Sequence, residues 1–133
     1  MHEYAHWQTA MLLRRLAKEA SKTARASGEE AIHDLRVAIR RTRGCLRLFA
    51  QFYPDRGRKE LNRQLKKLMD ACGAVRDRDI ALRLLTEAGV PAASSVVRRL
   101  TEQRKEASRS LRGALKPWRG AHPTRVWRTR LEL

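Results

Sequence analysis

The segment from Ile32 to Tyr53 constrains the fold more than any other part of the chain. Ile32, Leu35, Ile39, Thr42, Leu46, Phe49 and Tyr53 recur at alternating steps of three and four. That period belongs to a helix burying one face, and its persistence predicts a bundle seam rather than a surface scatter. Nowhere do four or more residues alternate apolar and polar with β-branched enrichment, so no strand is expected. The predicted fold class is all-α, most simply an antiparallel four-helix bundle.

The other helices follow from breaks and stripes. The first is expected from about Tyr4 to Arg25, with an apolar stripe through Met11, Leu12, Leu16 and Ala20. Ser27-Gly28 ends it, and Ser27 with Glu30 three residues later reads as a capping box for the second helix, which runs to about Phe52. Pro54-Asp55-Arg56-Gly57 reads as a turn. A long third helix carries Leu61, Leu65, Leu68, Cys72, Val75, Leu82 and Leu85 on one face, and Gly89-Val90-Pro91 stops it. The fourth begins after Pro91 and runs to about Leu115 on Val96, Val97, Leu100, Ala107 and Leu111. Residues 4–115 are thus expected to form the helical domain. Residues 116–133 read as a basic tail or a short fifth helix holding Val126, Trp127 and Leu131.

The same second helix carries a second stripe. His33, Arg36, Arg40, Arg43 and Arg47 are spaced by three, four, three and four residues, which gathers them within roughly 80° of the helix surface. Like charges at this spacing repel by about 0.2–0.5 kcal/mol per pair, and a solvated face normally interleaves acids to avoid that cost. Only Asp34 lies in the segment, off the ridge. Composition supports an anion-binding reading: 30 basic against 14 acidic residues give a net charge of +16, and 23 of the 30 are Arg. Arg is the residue for forked capture of phosphate oxygens. Each half of the chain carries 15 basic and 7 acidic side chains, so the charge is built into the fold rather than hung on a tail. On the third helix Asp79 falls on the apolar stripe, where a carboxylate needs a partner. Arg76 and Arg83 lie within one turn, so Asp77 and Asp79 are read as members of a structural ion-pair network, with Arg76 both structural and ligand-facing.

Several functions are disfavoured. Asp77 and Asp79, two apart on a helix, point in different directions and make no two-carboxylate catalytic site. No phosphate-cradling glycine loop and no nucleophile setting is present, so no enzyme is expected. His2 and His6 could chelate a metal but have no third ligand in reach, so neither metal nor cofactor is expected. Cys45 and Cys72 read as buried small hydrophobes in a reducing cytoplasm. No secretory leader and no bilayer span is read. Aromatics at 5% argue against base stacking. The ridge lacks Asn and Gln for reading bases, which leaves nucleic-acid phosphates as a second choice of partner. It also lacks an adjacent exposed Trp, Phe or Leu face, so no membrane partner is expected.

Two blocks carry a family resemblance. Ile32-His33-Asp34-Leu35-Arg36-Val37-Ala38-Ile39-Arg40-Arg41-Thr42-Arg43, continuing through Leu46, Arg47 and Phe49, resembles the signature of the CHAD family, the conserved histidine α-helical domain. Leu65-Lys66-Lys67-Leu68 through Gly73 and Arg76-Asp77-Arg78-Asp79-Ile80 resembles that family's other N-terminal block. The resemblance covers about residues 5 to 115. It implies a non-catalytic module that binds inorganic polyphosphate, associated with cytoplasmic polyphosphate granules. His33, Arg36, Arg40, Arg43 and Arg47 would line a basic channel, joined by Lys66 and Arg76. A complete CHAD domain looks like two related bundles, and nothing after Leu115 resembles the second. The chain therefore resembles half of the double bundle, and a homodimer completing the two-fold channel is the expectation. A purely structural helical partner protein is the third alternative.

Overall fold

A computed structural model describes residues 1–120 and 122–133, and of His122 only its place in a helix. Among the described residues the chain is helical, with no strand. Five helices follow in order: α1 (His2–Arg25), α2 (Glu29–Leu48), α3 (Asp55–Glu87), α4 (Ser95–Leu115) and α5 (His122–Arg130). Short 3₁₀ turns lie at Ala50–Phe52 and Lys116–Trp118. After Leu115, Lys116–Trp118 and His122–Arg130 are therefore helical, and Trp118, Trp127 and Leu131 join the same buried cluster as Leu16, Leu35, Ile39 and Leu65. Five helices, rather than four, build the body.

α1 and α2 form one hairpin and α3 and α4 another; α2 packs along α3, and α5 packs against α1 and α3. The α1–α2 hairpin is fastened at both ends. Thr9, Tyr53 and the Ala5 carbonyl share a buried hydrogen-bond cluster, and the Thr23 hydroxyl donates to the Ala31 carbonyl at 3.2 Å. Burial pushes the Tyr53 phenol up to about 12, so it stays protonated as a donor. Its carbonyl acceptor is satisfied within the core, as a buried polar group requires.

Two local expectations are corrected by packing. The inward stripe of α1 runs through Ala5, Thr9, Leu13, Leu16, Ala20 and Thr23, and Met11 is 44% exposed. Leu13 rather than Met11 keeps step with Leu16 and Ala20. The capping box does not form either: Gly28 is the N-cap of α2 without a side-chain cap, and the Ser27 hydroxyl instead pairs with Ser108 of α4 at 2.6 Å. A tertiary partner has outcompeted the local one.

The turn expected at Pro54–Gly57 is the start of α3, with Pro54 as its N-cap. Gly57 is buried there against the Arg130 carbonyl, and a Cβ at that position would collide with it. The missing side chain is what lets the end of α5 close on α3. At the far end Gly89 takes φ +79, Val90 N–H donates to the Leu85 carbonyl and Gly89 N–H to that of Thr86, each at 3.0 Å. This Schellman arrangement satisfies the last carbonyls of a 33-residue helix roughly 50 Å long. α3 outruns the body. No residue from 76 to 107 is fully buried, and Leu82 and Leu85, expected in the core, are only partly covered, while Ile80, Leu84 and Val96 are exposed.

Candidate functional site

The ridge of α2 borders a groove whose other wall is α3. Burying Ile32, Leu35, Ile39 and Leu46 fixes the rotation of α2, and the cationic stripe then falls beside the seam, toward α3. Two cavities lie along this groove. The first, about 230 Å³, is lined by Glu29, Ile32, His33, Arg36, Arg76, Asp79, Ile80 and Arg83. The second, about 480 Å³, is lined by Arg40, Arg43, Arg47, Ala50, Arg58, Asn62 and Met69. All five expected residues of α2 thus face one groove or the other cavity in it, and Arg76 joins them from α3. Lys66 is exposed and lines neither cavity.

The cations of the ridge are unspent. His33, Arg36, Arg40, Arg43, Arg47 and Arg76 make no ion pair among the described residues. The Nε of Arg36 is buried without a hydrogen-bond partner. Unpaired guanidinium groups along one wall, facing a concave opening, are suited to hold an extended anion by forked hydrogen bonds. From His33 to Arg47 the ridge rises by roughly 21 Å, so it addresses a chain of charges rather than one ion.

Asp79 has a different partner from the ones expected within its own helix. Arg104 of α4 donates through Nε to Asp79 Oδ1 at 3.0 Å and through its terminal nitrogen to the Ser27 carbonyl at 2.6 Å. Arg83 instead reaches Glu29 at 2.6 Å across the groove. Asp77 is exposed and forms no ion pair among the described residues. The ion-pair network is therefore Asp79–Arg104, tying α3, α4 and the α1–α2 loop together, and it leaves Arg76 for the groove. Nothing local in the sequence marks Arg104, which lies 25 residues from its carboxylate.

Arg58 is the groove residue that sequence reasoning missed. It sits in what reads as a turn, yet α3 begins before it, and a helix starting at Asp55 puts Arg58, Asn62 and Met69 on one face. Its Nε is also buried without a partner, while a terminal nitrogen contacts Asp55 at 3.3 Å.

The remaining chemically interesting side chains lie away from the groove opening. Burial pushes the Cys72 thiol up to about 12 despite the opposing charge of Arg36, so it is no thiolate nucleophile. Cys45 is buried too, and the two thiols are not joined. The His2 and His6 rings lie 4.0 Å apart, and among the described residues no group of three or more His, Cys, Asp or Glu could hold a metal ion. Among those residues no helix is long and apolar enough to cross a membrane.

Comparison with known proteins adds the family. No curated protein and no solved structure matches the chain. The sequence model of the CHAD domain, in general a polyphosphate-binding helical domain, matches residues 8–123. That match runs from the first helix to the start of the fifth and takes in both walls of the groove, and on it the chain belongs to the CHAD domain family.

Proposed function

We propose that the protein is a non-catalytic binding module for inorganic polyphosphate, held along the α2–α3 groove. The observation that carries this reading is the row His33, Arg36, Arg40, Arg43 and Arg47, none of them ion-paired among the described residues, lining one groove with Arg76 opposite. Lys66, at the exposed edge of α3, meets a longer chain only as it leaves the groove. Cytoplasmic polyphosphate granules are the corresponding place of action.

The test is a competition between long polyphosphate and double-stranded DNA at matched phosphate concentration across a salt series. Binding should weaken steeply with salt, because the cations displace counterions from the polymer. Polyphosphate should hold against excess DNA. Equal competition by DNA would make this a nucleic-acid-binding protein, and no affinity for either polymer at moderate salt would make it a helical partner protein.

We further propose that two copies close on one polymer, ridge facing ridge about a two-fold axis. The exposed Ile80, Leu84 and Val96 on the α3–α4 hairpin support a contact between copies. Two unpaired ridges repel each other until a polyanion lies between them, so dimerisation is linked to ligand. Light scattering should give a doubled mass with polyphosphate present; a monomeric mass both with and without it would rule the dimer out.

A further inference from the structure

The two cavities of the groove are not equivalent. The first sets three arginines against two acids: Arg36, Arg76 and Arg83 line it with Glu29 and Asp79, and Arg83 is spent on Glu29. The second has four arginines, Arg40, Arg43, Arg47 and Arg58, and no acid among its lining residues. It is also the larger, at about 480 Å³ against about 230 Å³. Its cations come from two helices, three from α2 and one from the first turns of α3, so they surround a volume instead of forming a row. Asn62 adds a neutral amide, and Arg58, only 20% exposed, has a partnerless Nε while one terminal nitrogen pairs at 3.3 Å with Asp55, a carboxylate that is itself 79% exposed and outside the cavity lining.

We infer that Arg40, Arg43, Arg47, Arg58 and Asn62 form a distinct subsite for directly linked phosphates, a free triphosphate or the end of a longer chain, and that this subsite separates such ligands from nucleic-acid backbone. The inference rests on the polyphosphate reading and adds to it where the discrimination is made. Its physical basis is charge density in a concavity. In a triphosphate, neighbouring phosphorus atoms share an oxygen, so the whole charge enters one small volume and can meet four guanidinium forks at once. A duplex strand is convex and separates successive phosphates by sugars, with one charge per about 3.4 Å of axis on each strand. It can lie along the α2 row, but it can lower only one phosphate at a time between α2 and α3. Arg58, on the far wall, is therefore used fully by linked phosphates and little by a duplex.

Inorganic tripolyphosphate, long polyphosphate and a DNA duplex are the probes, titrated against the full chain at fixed salt. Arg58→Gln should weaken tripolyphosphate about 10-fold, the loss expected for a charge-assisted contact, and DNA less than threefold. Arg76→Gln, in the first cavity, should change tripolyphosphate less than threefold. Arg58→Lys keeps the charge but not the fork and should fall between wild type and Arg58→Gln. Its retained charge provides the readout should Arg58→Gln unfold, which thermal melting reports. Equal losses for tripolyphosphate and DNA in Arg58→Gln, or equal tripolyphosphate losses in Arg58→Gln and Arg76→Gln, would overturn the subsite. Wild-type protein that binds long polyphosphate but not tripolyphosphate would overturn it as well, leaving the broader reading standing. Wild-type protein that binds neither would remove the broader reading itself.

Discussion

Replacing Arg40 and Arg43 together by Glu abolishes measurable polyphosphate binding, whereas replacing Arg98 and Arg99 on α4 by Glu lowers it only severalfold. The two double variants change the net charge equally, so any difference between them reports position. Arg40 and Arg43 line the acid-free cavity and make no ion pair among the described residues. Each contact to a charged group is worth about 1.5–3 kcal/mol, so losing two costs on the order of 10²- to 10⁴-fold, before repulsion from the new carboxylates is counted. Arg98 and Arg99 border a shallow surface with Glu102 on α4, away from the groove, and act on the ligand only through a screened field. Titration at about 0.15 M salt is the decisive measurement. Equal losses in the two doubles would mean that the polymer feels the overall charge and not a site.

The second large effect is on stability. Trp127→Ala should cost about 3–5 kcal/mol, the range for truncating a buried large aromatic. Trp127 is 6% exposed, stacks on Trp118 with ring centroids 6.1 Å apart, and carries the Arg130 guanidinium 5.0 Å above its ring. Deleting the indole leaves a hole beside Trp118 in the buried cluster that α5 shares with the other helices. Arg125→Ala, an exposed neighbour on the same helix, should stay within about 0.5 kcal/mol. Urea unfolding checks both. A loss below about 1 kcal/mol for Trp127→Ala would mean that α5 is an appendage, and that residues 116–133 add nothing to the folding unit.

The sequence was most informative where one helix met both its constraints locally. The α2 seam and ridge each repeat over about four turns or more, and burying the seam leaves the ridge only one direction to face. Elsewhere local signals competed with distant ones. Ser27 and Glu30 have the spacing of a cap, but Ser108 lies 81 residues away in the chain and takes the hydroxyl. Asp79 signals a buried partner without naming it, and Arg104 is no more marked than any of the other 22 arginines. Arg58 was hidden by Pro54 and Gly57, which have turn chemistry but here serve as a helix N-cap and a close-packing point. Met11 shows the limit of periodicity itself: a shift of two residues in the phase of α1 moves a side chain from core to solvent.

The long α3–α4 hairpin has a mechanical consequence for the groove. Between residues 76 and 107 no side chain is fully buried, and the cross-links holding the hairpin to the body are polar, chiefly Arg104 to the Ser27 carbonyl, Arg83 to Glu29 and Ser108 to Ser27. Such a segment opens locally at a lower free energy than the core that anchors it. Arg76, Ile80 and Arg83 sit on that yielding stretch, while Arg58, Asn62 and Met69 sit where α3 is pinned by Leu61, Leu65 and Leu68. The groove therefore has a rigid end and a compliant one: a stiff arginine cup continued by a wall that can flex to follow the ligand as it leaves.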